Sequence, residues 1–213
     1  MGRQMRTYIY IDGFNFYYGA VKDTPYKWLD FKSLFIKLLS PTNQIVSIKY
    51  FTAIVTGKID PDQPQRQKTF LRALRKHIPE LSIYYGNFNS HTVIQPLACE
   101  NRHYRRPFFV PVIKTEEKGS DVNLAVQLLN DAWSNKFDCA VVVSNDSDLK
   151  ESLRIAKQDL RKLIGVINPR GDKPTKELMK YADFYKKVRK GVLASSQLPD
   201  PIPGTTIRKP KSW

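Results

Sequence analysis

Cysteine is scarce in this chain, at two among 213 residues, and histidine nearly so, at three. Cys99 and Cys139 stand far apart, and His103 alone lies close to either, too few donors to suggest zinc. That excludes a disulfide scaffold and a zinc site, and predicts two reduced thiols, Cys139 buried beside a strand. No Ser/His/Asp or Cys/His arrangement can be read, and no Gly-rich phosphate loop or dinucleotide fingerprint occurs. Internal repeats are absent, and no apolar run approaches the roughly 20 residues of a membrane span. The first residues, Met1 to Arg6, lack an apolar signal core and run straight into a strand pattern, which predicts a cytoplasmic, non-membrane protein.

Acidic residues are also short, at 20 against 35 Lys and Arg, a formal charge of +15. An excess of this size attracts polyanions, nucleic acid first, with an anionic membrane surface or plain solubility as the alternatives. With 41% hydrophobic residues, the chain can bury one good core. The few carboxylates that cluster stand out against this basic background.

The sharpest cluster is Val141-Val142-Val143-Ser144-Asn145-Asp146-Ser147-Asp148. An apolar run closed by Ser-Asn, then Leu149, Leu153, Ala156 and Leu160 at helical spacing, predicts a buried parallel strand turning directly into a helix. Asp146 and Asp148 then lie at a strand's carboxyl end, the edge where open α/β sheets bind ligands. Asp148 alone reads equally as a first-turn acid, with Ser147 as the N-cap. A second strand ends the same way: Thr7 to Ile11 runs into Asp12-Gly13-Phe14-Asn15. Asp121, at the head of a helix marked by Val122, Ala125, Val126, Leu129, Ala132 and Trp133, is a third member or only a cap. Bare, these four carboxylates repel one another; oxygen-only ligands select Mg2+ or Mn2+ over zinc.

The remaining chain alternates β and α. Helices are predicted near Leu29–Leu39, Pro61–His77 and Pro174–Tyr181, and strands near Ile45–Val55, Leu81–Tyr85 and Leu163–Ile167, a parallel sheet covered on both faces. The second helix carries Lys68, Arg72, Arg75 and Lys76 on its polar face, either a solvated surface or a phosphate-contacting ridge. Between residues 86 and 113, the short β-like runs Thr92–Ile94 and Phe108–Ile113 predict a hairpin-like excursion. Its tip, with Arg102, His103, Tyr104, Arg105 and Arg106, suits single-stranded nucleic acid or is an ordinary loop. Residues 193 to 213 lose periodicity and gain proline, which predicts a flexible basic tail after a domain of residues 1 to 192.

Three segments, Ile11-Asp12-Gly13-Phe14-Asn15, Lys118-Gly119-Ser120-Asp121-Val122-Asn123-Leu124-Ala125 and Val143-Ser144-Asn145-Asp146-Ser147-Asp148-Leu149, resemble in order and spacing the motifs of the NYN domain. They look most like its LabA-like branch within the PIN-like nuclease superfamily. The resemblance spans roughly residues 6 to 190 and implies a three-layer α/β/α sandwich with a mostly parallel sheet. It implies metal-dependent hydrolysis of RNA phosphodiesters with Asp12, Asp121, Asp146 and Asp148 as catalytic, metal-holding residues, Asn15 beside them and Lys118 near the substrate; Asn15 and Asn145 are further substrate-contact candidates. Lys68, Arg72, Arg75, Arg102 and Arg105 are the further RNA-contact candidates. Gln127 stands where many members carry another acid, and Asn145 where many carry glycine. An RNA-binding module without turnover is the alternative. A nucleophilic-Asp phosphatase needs a second Asp two residues after the first, where this chain has Phe14.

Overall fold

In the computed structural model, residues 4–57, 60–97, 108–171 and 175–213 are described. Strands β1 (Met5–Asp12), β2 (Asn43–Thr52), β3 (Leu81–Tyr85), β6 (Cys139–Val143), β7 (Leu163–Asn168) and β8 (Phe184–Lys187) form one six-stranded sheet, ordered β3-β2-β1-β6-β7-β8. Every neighbouring pair in it is parallel. The remaining two strands, β4 (Asn87–Pro96) and β5 (Phe109–Lys118), pair antiparallel as a separate ribbon.

Helices cover both faces of the sheet, and so its central strands are apolar throughout. Ile9, Ile11, Val141 and Val143 face one core with α2 (Phe31–Leu38) and α3 (Gln63–His77). Tyr10, Ala140 and Val142, the alternate residues, face a second core with α4 (Ser120–Trp133) and α5 (Lys150–Arg154). The period of two along each strand divides the chain's apolar residues between the two layers. Shorter helices α1 (Gly13–Phe16), α6 (Lys176–Met179) and α7 (Lys190–Ala194) complete the three-layer α/β/α arrangement.

Strand order turns around at the centre: β1 leads outward to β2 and β3, whereas β6 leads the other way to β7 and β8. Between β1 and β6, successive crossovers leave on opposite sides, which opens a crevice above the strands' carboxyl ends. Asp12 closes β1 there, and Asp146 follows β6.

Two expectations change. The ribbon is longer than the runs Thr92–Ile94 and Phe108–Ile113, its pairing extending to Asn87 opposite Lys118. Much of both strands is exposed, so no apolar alternation marked their polar halves. Residues 193 to 213 are no flexible tail. Leu193, Leu198, Ile202 and Ile207 are buried in the first core. The backbone is stitched on, with Asp30 N–H donating to the Ser196 carbonyl at 2.8 Å and Leu198 N–H to Trp28 at 2.9 Å. Trp28 Nε1 donates to the Pro199 carbonyl at 3.2 Å. The prolines remove helical and strand periodicity without preventing spaced apolar residues from docking. Cys139 is buried, and burial first pushes its thiol up to about 12, leaving it inert. Cys99 lies outside the described residues.

Candidate metal centre

Each central strand ends in an Asp that caps the turn after it. Asp12 Oδ1 accepts from Asn15 N–H at 2.9 Å, fixing the turn into α1. Asp146 Oδ1 accepts from Asp148 N–H at 3.0 Å, opening the 3-10 turn Ser147–Leu149. The N-cap is therefore Asp146 and not Ser147. Capping and ligation are compatible, because each carboxylate oxygen has more than one lone pair, and the cap orients the side chain.

Ser144 ties the two strand ends together. Its hydroxyl donates to Asp12 Oδ2 at 2.9 Å and accepts from Asp146 N–H at 3.1 Å. Asn15 adds a second tie, its Oδ1 accepting from Asn145 N–H at 3.2 Å. Asp121 arrives from the other side of the crevice. Gly119 adopts φ 95°, a left-handed conformation that disfavours any side chain, and turns β5 into α4. Glu117 holds that turn, its carboxylate accepting from Ser120 N–H at 3.1 Å and from the Ser120 hydroxyl at 2.7 Å.

Asp12, Asp121 and Asp146 converge so that one carboxylate oxygen from each lies within 4.8 Å of the others. Asp12 is buried and Asp146 half-buried, with Asp121 on the exposed lip. Among the described residues, none of the three forms an ion pair. Burial raises the Asp12 carboxyl, as do the charges of Asp146 and Glu117, against the hydrogen bonds from Asn15 and Ser144. Asp121 is pushed up to about 6, by desolvation first and then by Asp12, Asp146, Glu117 and Asp148. Such a group is short of positive charge. Three hard oxygen donors at this separation fit one divalent cation of the Mg2+ or Mn2+ type.

The other expected residues are less concentrated. Asp148 is exposed and outside the trio, its N–H donating to Asp146 and its carboxylate acting on Asp121 through charge. Asn145 is committed to α6, its Oδ1 accepting from Thr175 N–H at 2.8 Å and its carbonyl from the Thr175 hydroxyl at 2.7 Å. Lys118 ends β5, exposed beside the Gly119 turn. Lys68, Arg72, Arg75 and Lys76 are exposed on α3, where Arg75 Nη2 donates to the Tyr85 hydroxyl at 3.2 Å. Arg102, His103, Tyr104, Arg105 and Arg106 lie outside the described residues. The β4–β5 ribbon meets α1 where Phe88 in β4 packs edge-on against Phe14, with ring centres 5.6 Å apart.

Sequence reasoning missed Glu117 and Ser144. Ser144 directly follows the β6 apolar run, the position from which a side chain reaches the neighbouring strand end. Glu117 stands three residues before Ser120, the reverse of capping-box order, within a charged stretch that gives it no signature. Gln127 is turned away from the trio toward β2, where its Oε1 accepts from Lys49 Nζ at 2.8 Å.

Comparison with known proteins matches residues 6–188 to the NYN domain model. The 6-hydroxy-3-succinoylpyridine 3-monooxygenase HspA of Pseudomonas putida is 35% identical over 236 aligned positions, covering 98% of this chain and 75% of that protein. A protein of unknown function from Vibrio parahaemolyticus superposes with a TM-score of 0.52 at 17% identity, over 89% of this chain and 96% of that one. That last likeness concerns the fold alone.

Proposed function

The chain belongs to the NYN domain family, within the PIN-like nuclease superfamily, and from that premise we propose that it is a Mg2+- or Mn2+-dependent ribonuclease. The carrying observation is the convergence of Asp12, Asp121 and Asp146 at the switch point of a chain with charge +15. Asp12, Asp121 and Asp146 would hold a divalent ion, which would supply an activated water and neutralise charge developing on a phosphodiester. Asp12 and Asp146, locked by Ser144 and by their own caps, present oxygens that do not reorganise on loading. Asp121, on the more exposed lip and pushed up to about 6, is a ligand open to proton competition. Asn15 and Lys118 flank the crevice, and the basic surface holds a single strand of RNA. Asp148 and Glu117 act through charge, keeping the trio avid for a cation.

The test is an incubation of labelled single-stranded and structured RNA and DNA with Mg2+, Mn2+ or EDTA. Metal-dependent RNA cleavage is expected. RNA binding without cleavage in either metal would leave the module without turnover. A second reading is favoured by the relative at 35% identity, whose name states oxidation of a hydroxypyridine, and by an aromatic cavity beside α1. Reductant-dependent hydroxylation of a nitrogen heteroaromatic, with no RNA cleavage, would establish it.

A further inference from the structure

A cavity of about 420 Å³ opens beside the trio on the α1 side of the crevice. Gly13 and Phe14, the two residues after Asp12, form one wall. Tyr17, Phe31, Tyr50, Phe70 and Trp213 supply aromatic surface from separate parts of the chain. Its polar edge carries Lys22, Lys27, Gln63 and the paired Asp60 and Arg66. The size and the mixture of aromatic wall with a few polar groups are those of a small-ligand pocket.

Tyr50 is the telling residue. It is only 7% exposed overall and lines the cavity, and its hydroxyl, which is not among the fully buried unpartnered atoms, stays accessible to a ligand. The hydroxyl also lies against the metal-side turn. A Cβ on Gly13 would come within 2.9 Å of it and 2.6 Å of the Phe51 carbonyl, so only glycine lets the Asp12 turn pass this close. The phenol is raised by burial and then by the charge of Asp12, consistent with that proximity.

We propose that this cavity seats one unpaired base of the RNA strand whose phosphate lies at Asp12, Asp121 and Asp146, with the Tyr50 hydroxyl hydrogen-bonded to the base. The inference rests on the ribonuclease reading and adds a base-recognition site to it. A nucleotide is the occupant that joins both halves of the site: its phosphate needs the cation, and its flat ring needs aromatic walls. The basic edge residues lie where the strand would continue, and stacking on such walls accepts any base while the hydroxyl selects among edges. Phe31, whose ring centre is 5.3 Å from that of Tyr50, keeps the phenol in place when the cavity is empty.

The test is calorimetric binding, in Mg2+, of the four nucleoside monophosphates and of ribose 5-phosphate, which lacks the base. At least one mononucleotide is expected to bind about tenfold tighter than ribose 5-phosphate. Tyr50→Phe should lower that ratio severalfold, since it deletes one hydrogen bond and keeps the ring. Val21→Phe, which fills the cavity from a buried lining position, should abolish it. Both variants should hold ribose 5-phosphate as the unaltered chain does. Equal affinity for all five probes, alongside RNA cleavage by the unaltered chain, would overturn the base pocket and leave the ribonuclease reading standing. Absence of both RNA cleavage and phosphate binding would overturn the reading, and the pocket's role with it. A free hydroxypyridine that binds more tightly than every mononucleotide would also overturn the proposal and assign the cavity to a small molecule.

Discussion

Asp146→Asn separates the charge of the trio from its shape. The amide carbonyl can still accept from Asp148 N–H, so the 3-10 turn and the start of α5 should persist. What disappears is one negative charge with two like neighbours inside 4.8 Å. At that separation, one pair of unit charges repels by about 1 kcal/mol in water and about 3 kcal/mol at the effective dielectric of a protein surface. Relieving two such pairs should stabilise the metal-free protein by roughly 2 kcal/mol, allowing for exposure on the Asp121 side and partial protonation. For a chain of this length, that raises the melting temperature by about 4–8 °C. The same change removes an anionic ligand, so the stabilisation that Mn2+ gives the unaltered protein should nearly vanish, and cleavage should fall at least about a hundredfold. The assay is thermal unfolding of both proteins in EDTA and in Mn2+, with cleavage measured on the same samples. Identical melting in EDTA, an undiminished Mn2+ shift and full cleavage would refute the assignment. A collapsed variant would show that capping is what Asp146 chiefly does.

Metal affinity should weaken below about pH 6 as Asp121 takes a proton. Without metal the sign reverses: an acid raised by folding adds stability that is full below about pH 4 and lost as pH rises through about 6, so melting in EDTA and in Mn2+ should diverge with rising pH. Removing residues 195 to 213 strips Leu198, Ile202 and Ile207 from the core. At about 1.5–3 kcal/mol each, the loss is roughly 5–9 kcal/mol, comparable with a whole domain's stability, and circular dichroism should show no cooperative transition near room temperature. Reversing Lys68 and Arg72 to Glu should weaken RNA binding on all sequences and lower the salt slope by about one unit per lost contact; an unchanged slope would move the strand's path off α3.

The layered α/β arrangement was legible because the central strands β1, β6 and β7 are buried on both faces. The alternation of Val141 and Val143 with Ala140 and Val142 needs no tertiary information to be read. Asp12 and Asp146 were legible for a related reason: a carboxylate directly after an apolar strand lies at the sheet's rim whatever the crossovers do. Asp148, two residues further into a tight turn, lies on the exposed rim outside the trio. The β4–β5 ribbon left no period-two signal where Ser90 and Thr115 pair at 2.7 Å on an exposed face. The docking of Leu198, Ile202 and Ile207 was hidden because irregular backbone has no period to detect. The cavity was the least legible, because Gly13, Tyr50, Arg66 and Trp213 meet only after the sheet is assembled.

A second carboxylate at the far end of α4 shows why the trio reads as functional. Asp131 is 0% exposed, more deeply placed than any of the three, yet it is fully answered. Lys49 pairs with it, Lys136 Nζ reaches it at 3.0 Å, and the Tyr10 hydroxyl donates to it at 2.9 Å. Burial pushes its carboxyl up, but those three donors outweigh burial and hold it below the ordinary value. Gln127 belongs to this network through Lys49; an acid there would sit beside the same ammonium and not at the strand ends. A buried acid that only supports the fold gathers cations from the chain, because an unpaired interior charge is strongly destabilising. Asp12, Asp121 and Asp146 have no such partner among the described residues, in a protein with fifteen cations to spare. Three adjoining carboxylates without a cation from the chain are a site that could hold a divalent metal, and the burial and mutual charge that push the Asp12 and Asp121 carboxyls up are what such a cation would relieve.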